Sequence, residues 1–291
     1  MIAVAVIQRA VLRWGEPRLR DLPWRQTRDP WAILVAETML QQTQVARVVD
    51  RYGEFLSCFP TTTVCAAAPV GDVLRAWAGL GYNRRAVKLH AAATMVEGAW
   101  HGVWKRDLAG LRALPGVGPY TARAMLAFAF ESPVAVVDTN VARVLARTAG
   151  RTLGTAEVQA AADVWAAGVD PWSWNQIVLD LGATVCTARR PSCDECPLAA
   201  ANACAWHAGG RADPDPAVGS AGVSGGQSRF VGSDRQGRGR LVDALRDAPV
   251  KVAALAAAMG WPDDNERAER VAATLVRDGV AAVVDGEYRL P

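Results

Sequence analysis

The sequence predicts an all-α main domain followed by a small α/β module. Three observations carry that expectation. Apolar residues recur at helical rather than strand spacing through residues 1–205. The text then changes to a Gly-, Pro- and Ser-rich tract, "AGGRADPDPAVGSAGVSGGQS", over 208–228. Beyond it, "VAAVVDGEYRLP" sets Asp285-Gly286 between two apolar runs, a strong hairpin signature.

Taken in order, residues 30–56 show helical spacing. Pro30 opens the run, and Ile33, Ala36, Met39 and Leu40 fall on one side of it. The stretch from Cys58 to Trp100 predicts two helices, broken by Pro69 and by a Gly79/Gly81 turn. "LAGLRALPGVGPYTARAMLAFAF" predicts helix, tight turn, helix. "AVVDTNVARVLARTAG" and "TAEVQAAADVWAAG" add further helices. Residues 1–207 thus form one domain, 208–228 a flexible linker, and 229–291 a winged-helix-like module of three short helices and a hairpin.

Composition narrows the function classes. The chain has 291 residues, 51% of them hydrophobic, enough for a sizeable core. Its apolar N-terminal start is broken by Gln8 and Arg9, too short for a membrane span or a signal-peptide core. A cytosolic protein without membrane association is expected, and there clustered cysteines bind metal more often than they pair. The net charge of +3 hides an asymmetry. Residues 1–130 carry 16 Lys/Arg against 9 Asp/Glu, and the two later segments are each slightly acidic. A basic first half suits a polyanion, and equally a merely soluble arginine-rich surface.

Four stretches carry chemistry. In "LPGVGPYTA", Pro115 ends a helix, Gly116 and Gly118 permit a tight turn around Val117, and Pro119 opens the next helix. Backbone N–H groups at such a turn bind phosphate without reading sequence, and the Thr121 hydroxyl can add to them. The pattern is a helix-hairpin-helix. Asp138 follows an apolar run and precedes a helix, the position of an N-cap, and Asn140 could serve the same end. Glu37 is the only acid between Asp29 and Asp50, within "ILVAETMLQQTQV". Flanked by Ala36, Thr38 and Met39, it is either a desolvated proton donor or a surface glutamate. Gln41, Gln42 and Gln44 favour the first, because together with Glu37 they can hydrogen-bond a base. Finally, Cys186-x6-Cys193-x2-Cys196-x7-Cys204 places four thiols in nineteen residues. They can hold Zn²⁺ or an iron–sulfur cluster; a lone Cys-x2-Cys pair with two outlying cysteines leans toward the cluster. Cys58 and Cys65 lie in helical, apolar text and are expected to be buried thiols.

These parts stand in the order seen in the endonuclease III superfamily, and their detail resembles the adenine DNA glycosylases, the MutY family. The resemblance covers roughly residues 20–206 and rests on "AETMLQQTQV", "GLGYNRRA", "LPGVGPYTA", "VVDTNV" and the four cysteines. It implies a two-lobed helical fold with DNA in the cleft, and a [4Fe–4S] cluster on Cys186, Cys193, Cys196 and Cys204. The cluster would shape a loop that brings Arg189 and Arg190 to the DNA backbone. The last cysteine interval departs from the family by two residues, which a bulged loop accommodates.

The resemblance also implies the activity. The family removes adenine misincorporated opposite 8-oxoguanine in double-stranded DNA. Glu37 would protonate the base, ionised Asp138 would stabilise an oxocarbenium-like sugar, and Tyr120 and Asn140 would position them. Gln41, Gln42, Leu80 and Tyr82 fall among the DNA-contacting positions, with Gln42 and Tyr82 as wedges. Bifunctional relatives carry lysine where this chain has Tyr120, and a phenol forms no Schiff base. A monofunctional, monomeric, nucleoid-associated enzyme is expected. The tail lacks the strands and acidic signature of the Nudix-like domain that ends many family members. Two rivals stand beside this reading: a mismatch-specific thymine or uracil glycosylase, and a non-enzymatic DNA-binding protein with a structural metal.

Overall fold

Capping residues punctuate the chain where the sequence places them, and the computed structural model describes residues 4–221 and 229–291. In chain order the helices are α1 (Val4–Gly15), α2 (Pro30–Leu40), α3 (Val45–Cys58), α4 (Thr62–Ala67), α5 (Val70–Ala76), α6 (Arg84–Gly98), α7 (Leu108–Arg112) and α8 (Pro119–Ala129). There follow α9 (Thr139–Ala149), α10 (Thr155–Ala166), α11 (Pro171–Asp180), α12 (Pro197–Ala200), α13 (Ala205–Ala208), α14 (Asp234–Asp247), α15 (Leu255–Met259) and α16 (Asn265–Arg277). Three short strands, β1 (Val250–Lys251), β2 (Ala282–Val284) and β3 (Glu287–Arg289), complete the described elements. Asp29, Asp138, Asp170, Ser233 and Asp264 accept backbone N–H bonds as N-caps, and Pro30, Pro119, Pro171 and Pro197 open helices where no N–H is needed.

The chain divides into two bodies. The first comprises Met1–Arg28, Arg106–Leu108 and Gly118–Gly226. Its core joins Ile7 and Val11 of α1 to Val144 and Leu145 of α9, Trp165 of α10, and Trp174 and Ile177 of α11. The Asp180 carboxylate, 2% exposed, ties the segment after α1 to α11. Arg25 donates to both its oxygens at 2.8 Å, and Arg20 Nε donates at 2.7 Å. Burial pushes this acid up, but the arginine bonds outweigh burial and leave it below the ordinary carboxylate range.

The second body comprises Asp29–Lys105, Ala109–Val117 and Gln227–Pro291. Helix α2 is buried on every face from Trp31 to Met39 and is the central helix of this body. The C-terminal module packs α14, α15 and α16 around Leu241, Leu245, Met259, Val271 and Leu275. Its antiparallel sheet has the order β1-β3-β2. Asp285 and Gly286 form the expected tight turn, both at positive φ.

Three expectations are refined. Residues 30–56 form two helices, not one, because the chain turns a corner between Leu40 and Val45 with Gln42 at φ 56°. The stretch from Cys58 to Trp100 holds three helices, since Pro69 and the glycine turn each break it. The first part of the expected linker is packed rather than free. Asp215 accepts from Arg147 NH2 at 2.6 Å, and Ser220 is buried and bonded to Leu153 N. Residues 222–228 lie outside the described residues.

Candidate active site

In the first body the geometry starts from Asn175 on α11. Its amide donates to Val134 O (2.9 Å) and Pro171 O (2.7 Å), and its oxygen accepts from Val136 N (2.7 Å). The extended run before α9 is thereby fixed, and it delivers Asp138 to the helix N-terminus. One Asp138 oxygen accepts from Val141 N and the other from Asn140 Nδ2, both at 2.7 Å. Asn140 Oδ1 in turn accepts from Arg143 NH2 at 2.7 Å. Burial raises the Asp138 carboxyl above its ordinary range; the two hydrogen bonds and the Arg143 charge oppose that rise without cancelling it. The N-cap reading of Asp138 therefore holds, and its half-buried carboxylate sits in a preorganised setting at the positive end of a helix.

The same arginine leads to the cysteines. Arg143 donates to Gly182 O and Cys186 O, both at 2.6 Å. Gly182 lies in a π turn (Leu181–Val185), and a Cβ there would come within 2.7 Å of Asn140 Cβ, so the backbone approach needs glycine. One turn along α9, Arg147 donates to Cys186 Sγ at 3.4 Å and to Thr187 O at 2.8 Å. Cys186 and Cys196 are held up chiefly by burial. Cys204 is held up by burial and further by the charges of Cys196, Cys186 and Cys193. The four sulfurs therefore share one electrostatic neighbourhood. A polynuclear cluster takes one thiolate at each of four corners. The donor set fits the cluster. Arg189 and Arg190 are exposed on the loop, and Thr187 Oγ1 bonds Arg190 O at 2.6 Å. Gly118 is half-buried, Tyr120 is half-buried at the start of α8, and Thr121 is 3% exposed, so its hydroxyl lies inside rather than on the surface.

In the second body Glu37 is 5% exposed on α2, not a surface glutamate. The corner after α2 carries Gln41 and Gln42. Arg85 holds that corner against the 80–82 loop. Its guanidinium donates to Thr38 O (2.8 Å), Met39 O (2.9 Å), Gln41 O (2.5 Å) and Thr43 Oγ1 (3.0 Å), and to Leu80 O (3.0 Å) and Gly81 O (3.1 Å). Burial lowers it to about 10. Tyr82 is 39% exposed at φ 48°, a conformation uncommon outside glycine. Leu80 is 2% exposed. Gly116 stands at φ 84°, and a Cβ there would meet the Lys88 stem at 2.9 Å, so Lys88, distant in sequence, packs beside the hairpin turn. Val117 is buried, leaving Gly116 as the exposed residue of the pair.

Asp138, Asn140 and the four cysteines thus come together in the first body, and Gln41, Gln42, Leu80, Tyr82 and Gly116 line one cavity in the second. The sequence reading missed Arg85, Arg143 and Asn175. Arg143 was within reach, three residues from Asn140 on one helix face. Arg85 and Asn175 act through distant backbone, which leaves no mark in local text.

Two family models match. Residues 35–166 match the HhH-GPD superfamily base excision DNA repair protein, and residues 186–200 the iron-sulfur binding domain of endonuclease III. The chain is 43% identical to an adenine DNA glycosylase of Mycobacterium tuberculosis over 97% of its own length and 92% of the relative's. It is 38% identical to the Homo sapiens adenine DNA glycosylase over 67% of this chain and 38% of that one. A solved thermostable thymine-DNA glycosylase superposes with a TM-score of 0.65 at 28% identity, over 71% of this chain and 97% of that one.

Proposed function

The chain belongs to the adenine DNA glycosylase family, and from that premise we propose that it excises adenine mispaired with 8-oxoguanine in double-stranded DNA. It is a base excision repair glycosylase carrying an iron–sulfur cluster. A stacked adenine is out of reach of any side chain, so the base is flipped out at a cost of about a few kcal/mol. Glu37, the one buried acid of α2, donates a proton to N7 of the flipped base. The C1′–N9 bond then breaks toward an oxocarbenium-like sugar. Asp138, ionised, faces that positive charge, with Asn140 and Tyr120 as positioning groups. Water completes the hydrolysis.

The observation that carries this reading is the Asp138 carboxylate, desolvated at a helix N-terminus and held on both oxygens by Val141 N and Asn140. Such a carboxylate stabilises developing cationic charge without reorganising. The resident cluster, when bound by Cys186, Cys193, Cys196 and Cys204, supplies structure: it sets the loop from which Arg189 and Arg190 reach phosphate. Tyr120 provides no amine, so the product is an abasic site rather than a broken strand. The thymine or uracil alternative lacks a use for Glu37, since pyrimidines have no N7 to protonate. The enzyme acts as a monomer on cytoplasmic DNA. No described helix is long and apolar enough to cross a membrane.

Glu37→Gln and Asp138→Asn test the assignment. Each is expected to lower single-turnover adenine release by at least about a hundredfold, as loss of an acid–base or electrostatic group does, while duplex affinity stays within a few-fold. Turnover that survives both substitutions would remove these residues from the chemistry.

A further inference from the structure

The segment that follows the last cysteine folds back against α9 instead of leaving the first body. Cys204 leads straight into α13, and from the end of α13 to Ala221 no helix or strand forms among the described residues. Its composition is that of a free linker, yet it is anchored at both ends. Near its start, a Cβ on Gly150, the left-handed cap of α9, would meet Ala205 Cβ at 2.9 Å, so α13 lies directly against the end of α9. Trp206 Nε1 donates to Ala212 O at 2.9 Å and closes the first turn. Near its end, the buried Ser220 hydroxyl accepts from Leu153 N at 3.1 Å, and Ala221 N donates to Leu153 O at 3.0 Å.

Between those anchors sits Arg147, 2% exposed. The returning segment holds its guanidinium from one side. The Trp206 ring centroid lies 4.6 Å away, and Asp215 accepts from both Nε (3.1 Å) and NH2 (2.6 Å). The remaining donors serve the cluster loop: NH1 bonds Cys186 Sγ (3.4 Å) and Thr187 O (2.8 Å), and NH2 bonds Ala188 O (3.0 Å). The Arg147 carbonyl also lies 3.4 Å from Cys204 Sγ. One residue thus ties the returning segment to the first cysteine and touches the last. A guanidinium gripped on two nitrogens by a carboxylate has a fixed plane. Groups that fix the outer partners of a metal ligand commonly govern how well the metal is kept.

We propose that residues 205–221 form a latch on the iron–sulfur loop, with Asp215 as its catch. Asp215 fixes the Arg147 guanidinium, the guanidinium holds the Cys186 sulfur and the Thr187 and Ala188 carbonyls, and loss of the cluster is slowed. Asp215 is a positioning residue, since it acts through Arg147. Iron leaves when the loop opens locally, and the latch opposes that opening. The proposal rests on the cluster and not on which base is removed, so failure of the adenine assignment leaves it standing.

The test follows iron release from the full-length holoprotein to excess bathophenanthroline disulfonate, well below the unfolding temperature of every variant. Asp215→Asn removes the charge and keeps the size. It is expected to speed release about tenfold or more, the scale of a lost outer partner of a metal ligand. Trp206→Leu, which removes the ring over the same guanidinium, should speed it about threefold. Asp180→Asn is the control. That carboxylate is also buried and arginine-bound in the first body, but its partners are Arg20 and Arg25 rather than the loop arginine. It should lower the unfolding temperature while release stays within about twofold, as for an independent site. Visible circular dichroism of the bound cluster, which reports how its thiolates are arranged, should change in Asp215→Asn and not in Asp180→Asn. Equal acceleration by the two Asp→Asn variants would mean that Asp215 only stabilises the body, and would overturn the latch. Unchanged release in both Asp215→Asn and Trp206→Leu would overturn it too. Holoprotein purified without iron would remove the cluster assignment itself, whatever the base released.

Discussion

One carboxylate, Asp138, caps a helix and, in the proposed mechanism, meets a sugar cation. Its environment suits the cap and the proposed role alike, because Val141 N and Asn140 Nδ2 occupy one oxygen each of a half-buried carboxylate. The sign of the pH dependence follows. The proposed chemistry needs the ionised form, and burial raises the Asp138 pKa, so the acid limb of the single-turnover rate is expected above the ordinary carboxylate range. Asn140→Leu removes a bond that lowers this pKa. The limb should then move to higher pH, with the plateau rate reduced as well; a pH–rate profile of both proteins checks it, and an unmoved limb would detach Asn140 from the carboxylate's ionisation. Folding stability follows the same sign: the raised pKa makes any contribution of Asp138 greatest below its unfolded value and diminishing as pH rises through its folded one. Asp180, lowered by Arg25 and Arg20, runs the other way and loses its contribution as pH falls.

Elements place these residues, and here sequence reading succeeds and fails for identifiable reasons. Proline and acid caps made α2 and α9 legible, since a cap satisfies N–H groups within a few residues of itself. The corner at Gln41–Gln44 was not, because what bends the chain there is Arg85, some forty residues on. The run before Asp138 depends in the same way on Asn175. The packed segment around Asp215 looked like linker by composition, yet one buried arginine, Arg147, captures it. Arg85→Lys tests the corner. A lysine has three donors on one nitrogen, where the two terminal guanidinium nitrogens serve six acceptors. The expected cost is about 2 kcal/mol in denaturant unfolding, with weaker mispair binding because Gln42 and Tyr82 lose their support. An unchanged midpoint and affinity would show that the corner holds itself.

At the scale of the whole molecule, charge, cysteines and tail divide the labour. The basic excess falls in residues 1–130, while residues 131–212 and 213–291 each carry a slight acidic balance. Likeness to the M. tuberculosis enzyme extends over 97% of the chain, but likeness to the human enzyme over only 67%. The C-terminal module is thus part of what this chain shares with the mycobacterial form. What unites the parts is removal of one base, which the proposed mechanism does without cutting the strand. The most direct measurement is product formation from a duplex with adenine opposite 8-oxoguanine, beside one with adenine opposite thymine, each resolved with and without alkali. Strand cleavage only after alkali, and only in the 8-oxoguanine duplex, is the result expected of a monofunctional enzyme whose position 120 is tyrosine. Breaks without alkali would contradict it and point to an amine such as Lys88, which packs against the hairpin turn; no release from a duplex that the protein binds would contradict the adenine assignment itself.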